Sequence, residues 1–264
     1  MKSFDFEYDD LNLSDLGYII CNFNSVGLET VTGGSQISFN TIPVRNGEKF
    51  ELISSEYDEC LSAKFQICKN LCNEKNAEIS FKEYRDLMSW LNRKEFHKFK
   101  FLDGEYLDLF FNASFNLSRI ELDGRLIGLE LDMITDSPFA YQESEIININ
   151  NQEENNTKII YSKSDVEGYI YPYMEIKMNQ SGDLTIYNSL DDRTMHIANC
   201  NEGEIITLDY PVIQSSDLSH KIQNDFNWNF FRIVNTFKNK KNVLTISVPC
   251  EIKIKYNPLI KFGM

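Results

Sequence analysis

The sequence predicts a mainly β protein with one prominent helix, split into a mixed β-plus-helix part and an all-β part. Three observations predict it. Apolar residues alternate with small or charged ones along much of the chain, as where Ile127, Leu129, Leu131 and Met133 interleave with Gly128, Glu130 and Asp132; that period of two marks a strand with one buried face. A clear helical period occurs at residues 80–92. In the second half, short apolar runs are separated by turn residues at intervals of about ten, the spacing of a β-sandwich.

In chain order, residues 18–26, 35–42, 61–67, 98–101, 106–111 and 115–122 read as short strands. Between them, Ser80 followed by Glu83 forms a capping box, in which each side chain satisfies an otherwise orphaned backbone N–H at a helix start. Phe81, Tyr84, Leu87, Met88 and Leu91 then make an apolar stripe, read as a face buried against a sheet rather than a binding groove. Asp123-Gly124 is a hairpin-turn dipeptide leading into a strand over 126–134. The pattern stops at Asp136-Ser137-Pro138, where proline removes a ladder donor. Residues 148–157, rich in Asn, Gln and Glu, read as a loop or a strand end followed by one. Further strands are expected at 173–178, 183–188, 194–198, 204–209, 230–235, 242–248 and 251–256. The boundary between the two parts is expected near 138–150.

Composition narrows the function. With 42% hydrophobic and 13% aromatic residues in 264, the chain buries a sizeable core and is not disordered. A net charge of −14 argues against general nucleic-acid binding, which needs clustered Lys and Arg, and against docking on anionic lipid. Residues 1–140 carry 14 Lys and Arg against 24 Asp and Glu, so most of the acidity lies in the first part. No apolar run approaches the roughly 18 residues of a membrane span, and the acidic start is unlike a signal peptide. A reducing cytoplasm is therefore expected during folding, with Cys21, Cys60, Cys68, Cys72, Cys200 and Cys250 as buried free thiols rather than disulfides or zinc ligands.

No reaction centre emerges, so the chain reads as no enzyme, without catalytic residues, cofactor or metal. His97, His196 and His220 sit in no nucleophile or metal motif, and no phosphate loop, dinucleotide fingerprint or serine elbow is present. Asp9-Asp10 and Asp191-Asp192 read as solvated loop charge, since neighbours on a strand point to opposite faces and do not converge on one bond. Gly33-Gly34 reads as a turn. The remaining binding candidate is Trp228 as a sugar-stacking aromatic, with Arg193, His196 and Asn199 as polar partners.

Taken in order, several motifs resemble the distal tail protein family of long-tailed phages and related tail-like particles. They are Phe4-x-Phe6-x-Tyr8 followed by Leu16-Gly17-Tyr18-Ile19-Ile20, the helix closing on Trp90-Leu91, and Lys100-Phe101-Leu102-Asp103 with Tyr106. The most specific is the strand over 124–135 running into Ser137-Pro138-Phe139-Ala140-Tyr141. Tyr171-Pro172-Tyr173, the segments 182–188, 203–209 and 242–248, and a final Ile-x-Ile strand extend the resemblance through the second part. Lys241-Asn242 stands where the family often has Gly-Asn, and no long arm-like insertion is present.

The resemblance implies a tail-tube-like, split-barrel domain over 1–145 and a galectin-like β-sandwich over 146–264. It implies a homo-hexameric ring at the distal end of the virion tail, with the second domain projecting outward. The ring would join the tail tube protein to the tail-associated hub or lysin, with the tape measure protein and receptor-binding proteins as further partners. DNA would pass through its lumen without specific binding, and assembly would take place in the host cytoplasm. The galectin-like fold carries no sugar signature here and by itself implies no lectin activity. The rival expectation is a receptor- or carbohydrate-binding tail protein using the sandwich.

Overall fold

The structure is a computed structural model and describes residues 3–23, 37–44, 47–57, 60–72 and 76–261. It is mainly β and divides into two compact units, one running to Gln142 and including Lys261, the other Glu143–Ile260.

The first unit contains β1 (Phe6–Tyr8), β2 (Leu11–Asn12), β3 (Tyr18–Cys21), β4 (Ile37–Val44), β5 (Lys49–Tyr57), β6 (Ser62–Lys69), α1 (Phe81–Leu91), β7 (His97–Phe101), β8 (Leu109–Leu122), β9 (Arg125–Thr135) and β10 (Ala140–Gln142). Its main sheet runs β2-β1-β7-β8-β9-β6-β3, with every pair antiparallel. Register follows the period-two pattern: Tyr8 lies opposite Phe99, Phe99 opposite Phe111, Phe115 opposite Met133, and Leu131 opposite Phe65. These residues line one buried face, where Phe99 meets Phe6, Phe101 and Phe115 at ring-centroid distances of 5.2, 4.8 and 5.5 Å. Edge and tilted ring contacts of this kind add to the burial itself.

Helix α1 covers this aromatic core. Ser80 accepts from the Glu83 N–H and Glu83 accepts from the Ser80 N–H, so the expected capping box is formed. Leu87 and Leu91 are buried and Tyr84 and Met88 half-buried, but Phe81 is 70% exposed, which shortens the expected stripe by its first member. At the other end of the helix, Trp90 stacks on Phe6 at 5.8 Å and donates to the Tyr8 carbonyl at 3.0 Å. The β8–β9 hairpin turns on Asp123 and Gly124 at φ 49° and 74°, both left-handed as such a two-residue turn requires.

Several expected boundaries shift. The strands expected at 106–111 and 115–122 are one strand, β8, preceded by a 3-10 turn at Gly104–Tyr106. The strand expected over 18–26 ends at Cys21, and its last three residues, like the start of the one at 35–42 and Gly33-Gly34, lie outside the described residues. Strand β5 was not expected at all.

The second unit contains β11 (Glu145–Asn151), β12 (Asn156–Tyr161), β13 (Gly168–Ile170), β14 (Tyr173–Met178), β15 (Gly182–Asn188), β16 (Arg193–Cys200), β17 (Ile205–Asp209), β18 (Val212–Ser215), α2 (Ile222–Asp225), β19 (Ile233–Asn235), β20 (Lys241–Ile246), β21 (Cys250–Tyr256) and β22 (Leu259–Ile260). Two antiparallel sheets, β11-β21-β14-β17-β18 and β12-β20-β15-β16, enclose one core. Met174, Ile176, Ile252 and Ile254 come from one sheet, and Leu184, Ile186, Leu244 and Ile246 from the other. Residues 148–157 prove to be the end of β11, a turn and the start of β12. Asn148 and Asn150 flank Ile149, so the polar composition conceals a ladder in which Ile149, and Ile147 just before the segment, face Ile252 and Ile254.

Buried asparagines tie the irregular parts to the sheets. Asn242 is fully buried inside β20, accepting from Val234 N–H at 2.9 Å and Asn188 Nδ2 at 2.8 Å while donating to the Val234 carbonyl at 2.9 Å. Lys241-Asn242 is therefore strand, not turn, and Asn242 serves β19 as a surrogate strand neighbour.

Candidate functional site

The first unit's most unusual surface is the β4–β5 hairpin. Its two strands pair only with each other among the described residues. Phe39, Ile42, Phe50, Leu52 and Ile53 are each 45–64% exposed. Register puts Phe50 and Leu52, opposite Pro43 and Thr41, on one face. Ile42, opposite Glu51, lies on the other; the register shift leaves Ile53 unpaired, and Phe39, which alternates with Thr41 and Pro43 along β4, joins the face of Phe50 and Leu52. Tyr57 anchors the hairpin's base by an edge-on contact with Phe139 at 4.8 Å. A lone two-stranded ribbon is marginal in water, and this one shows large apolar side chains on both sides.

The acidic pairs are more engaged than loop charge would be. Asp9 and Asp10 sit in a turn at φ 52° and 63°. Asp9 accepts from Arg93 at 2.8 Å and lies 3.4 Å from His97; the Arg93 hydrogen bond holds its carboxyl below the usual range. Asp191 is the clearer departure, with its side chain only 9% exposed and bound to Arg232 Nε at 2.6 Å. It turns inward because the guanidinium supplies the partner that solvent was expected to supply.

Sequence reasoning missed the buried cluster around His220. This imidazole donates from or accepts at Nδ1 with Glu204 at 2.6 Å and places Nε2 3.2 Å from Asp225; its side chain and that of Glu204 are essentially fully buried. Burial works against the imidazolium, but the hydrogen bond and charge of Glu204, with Asp225, raise its pKa above the ordinary histidine value. Ser215 Oγ donates to Glu204 rather than to His220. Serine, histidine and carboxylate are thus near one another without forming a nucleophile–base pair. A cleft of about 470 Å³ lies alongside, lined by Ser215, Asp217, Leu218 and His220. Among the described residues, no group of three or more His, Cys, Asp or Glu is placed to hold a metal ion.

The cysteines depart from the buried expectation in part. Cys200 and Cys250 are buried, and burial pushes both thiols up to about 12. Cys60 and Cys72 are exposed because they lie outside the sheet cores, and all six are free.

Three of the four residues proposed to contact sugar are brought together. The segment carrying Trp228 lies along edge strand β16: Asn227 N–H donates to the His196 carbonyl at 3.0 Å, His196 N–H to Asn227 Oδ1 at 3.1 Å, and Arg193 Nε to the Phe230 carbonyl at 3.0 Å. The His196 ring is taken up by Thr185 at 3.2 Å. Asn199 sits further along β16, its N–H donating to Asp183 at 2.9 Å. Trp228 itself is 54% exposed at φ 58°. Tyr169, Tyr210, Arg232 and Asp191 cluster with it through ring and ion-pair contacts; no local spacing in the sequence signals them.

Two family models match the chain: residues 1–137 match one described as a phage tail protein N-terminal domain, and residues 139–256 one described as a phage tail C-terminal domain. No curated protein matches. Among solved structures the chain is similar to the crystal structure of the Dit (gp 19.1) protein of SPP1, described as a paradigm of the hub adsorption apparatus in phages infecting Gram-positive hosts. The TM-score is 0.66 at 10% identity, covering 97% of this chain and 99% of that one. The expected resemblance to distal tail proteins thus holds for the fold over essentially the whole chain.

Proposed function

This chain belongs to the phage tail protein family, and from that premise we propose that it is the structural hub of a tail tip, acting by assembly and not by catalysis. Six copies close a ring at the distal end of the virion tail. One face of the ring receives the tail tube protein, and the other receives the tail-associated hub or lysin and the tape measure protein. Assembly takes place in the host cytoplasm. The N-terminal domain proposed over residues 1–145 forms the ring, and the galectin-like sandwich proposed over 146–264 is available to receptor-binding proteins.

The observation that carries this reading is the β4–β5 hairpin. A ribbon exposing Phe39, Ile42, Phe50, Leu52 and Ile53 gains stability by laying them against another surface. A ring supplies such a surface on every copy, since a head-to-tail contact that closes satisfies each protomer identically. The net charge of −10 over residues 1–140 supports DNA passage, because an acidic lumen repels phosphates and leaves DNA free to slide.

Gold labelling of a tagged copy in assembled particles tests the proposal: the label is expected at the distal tip of the tail, and label along the tube or on side fibres overturns it. Sixfold rings in negative-stain images of the tips are expected as well, and trimers would point to a fibre or receptor binder. The double change Phe39→Ser with Leu52→Ser is expected to abolish rings while leaving the thermal unfolding of the chain nearly unchanged.

A further inference from the structure

Strand β3 is the last strand of the first unit's main sheet, and its ladder with β6 sets Ile19 opposite Cys68 and Cys21 opposite Gln66. Ile19 and Cys21 share one face of β3, so the side chains of Cys21 and Cys68 leave the sheet on the same side, one diagonal step apart. The aromatic core lies on the opposite side, into which the alternate residues Phe65 and Ile67 of β6 are buried. Both thiols are half-buried and free, and Cys21 and Cys68 share a side-chain hydrogen bond. Ladder register and hydrogen bond thus bring the two sulfurs together by separate observations.

The surroundings shelter the pair without closing it. Gly128 lies opposite Cys68 on β9, and the Phe23 ring occupies the space that a Cβ there would fill. Phe23 N–H donates to Gln66 Oε1 at 2.9 Å, and Gln66 Nε2 donates to Glu130 at 3.1 Å, which fixes the groups beside the thiols. Burial, with the shared hydrogen bond, raises the Cys21 pKa above the ordinary thiol range, so the reduced pair is slow to react. Diagonal neighbours on a sheet have Cα atoms about 7–8 Å apart and a disulfide needs about 6.8 Å or less, so bridging asks for a shift of about 1 Å. Strand β3, the last in the sheet, has no second ladder to resist it. Cys250 also feels the charge of Cys200, but both are buried inside the sandwich, out of reach of an oxidant in solution.

We propose that Cys21 and Cys68 form an oxidation site, at which a small disulfide such as oxidised glutathione converts the two thiols into a disulfide stapling β3 to β6. One cysteine gives its proton to solvent and its thiolate attacks a sulfur of the small disulfide, forming a mixed disulfide and expelling one glutathione thiolate. The second cysteine then loses its proton and attacks the protein-bound sulfur, closing the cross-strand bond and expelling the other glutathione. Two protein thiols are oxidised, one small disulfide is reduced, and the two protons end on two glutathione thiols. The second step is intramolecular because the partner thiol is already in place. The bond closes a loop of chain that contains β4 and β5, and such a cross-link stabilises chiefly by restricting the unfolded chain. On the assembly route proposed above, the pair stays reduced in the host cytoplasm and closes after release. That timing rests on the tail-tip reading; the bond itself does not.

Incubating the reduced whole protein with oxidised glutathione, alkylating the remaining thiols and mapping peptides without reduction tests the proposal. A peptide joining Cys21 to Cys68 is expected, with Cys200 and Cys250 still thiols in the folded protein. Oxidation is expected to raise the thermal midpoint and dithiothreitol to return it, and Cys21→Ser and Cys68→Ser are each expected to lose both the linked peptide and the shift. The double change Cys60→Ser with Cys72→Ser keeps the pair and is expected to form the same link, which preserves the test should serine at 21 or 68 unfold the chain. Alkylation of both Cys21 and Cys68 after oxidation, glutathione adducts without a cross-link, or Cys68 joined to Cys72 instead overturns the proposal. None of these readings involves ring formation or tail position, so their failure leaves the tail-tip reading standing.

Discussion

His220 is a residue whose chemistry is set entirely by its neighbours. Glu204, Asp225 and the nearby Asp217 surround it, and its pKa is raised despite burial. A raised folded-state value means that the charged pair contributes in full below the unfolded value of about 6.5 and is lost as pH rises through the folded value. Thermal stability is therefore expected to fall as pH is raised from about 6.5 through that interval, and His220→Gln is expected to flatten the dependence. Melting curves across the interval check this, and a rising Tm contradicts it. The thiols divide on the same principle. Near the ordinary thiol value of about 8.5, alkylation of the native protein is expected to modify Cys60 and Cys72, while Cys200 and Cys250 stay protected until unfolding, as peptide mass mapping would read.

Helix α1 and its neighbours show how local signals and sheet context combine. The capping box is local, so Ser80→Ala is expected to cost about 1 kcal/mol in denaturant unfolding, and Ser80→Asp much less. Gly128 answers to the sheet instead. A Cβ built there would lie 2.5 Å from Phe23 Cε2 and 2.8 Å from the Ile67 carbonyl oxygen, the second of which cannot move without disturbing the β6–β9 ladder. Gly128→Ala is thus expected to lower stability by about 1–3 kcal/mol; an unchanged unfolding midpoint would show that the ladder gives way freely. Helix α1, the β8–β9 hairpin and most strands of the second unit were legible from period, cap and turn residues. Strand β5 was not, because Leu52 and Ile53 adjoin at a register shift that breaks the alternation and no core restores it. Strand β12 was obscured by the Asn and Glu before it, and its ladder depends on partners in β20 that lie some eighty to ninety residues away, such as Ile246 opposite Asn156.

For the molecule as a whole, acidity and assembly pull against each other. Copies carrying −14 repel, so the proposed ring closes only through contacts strong enough to overcome that repulsion. Raising salt shortens the screening length from about 10 Å at 0.1 M to about 3 Å at 1 M. The fraction of ring in sedimentation experiments is therefore expected to rise with ionic strength, the reverse of an assembly held by complementary charges. Reversing acidic residues that prove to line the lumen of the proposed ring is expected to slow DNA ejection, and an unchanged rate would remove the lumen's charge from the account.

The sequence by itself determined the β class, the capped helix, the tight β8–β9 turn and the acidity, because each is encoded in residues adjacent or a few positions apart. It also marked Trp228, with Arg193, His196 and Asn199 as polar partners, as the remaining binding candidate. The tertiary structure decided what those residues are for. Asp191 became the buried partner of Arg232, Asn242 a surrogate strand neighbour, and Trp228 the end of an aromatic run reaching Tyr169. Only folding brings such residues within bonding distance, and the energy of a buried charge or a stacked ring depends on that distance rather than on separation along the chain. The same holds for the exposed β4–β5 ribbon, whose strands pair only with each other among the described residues.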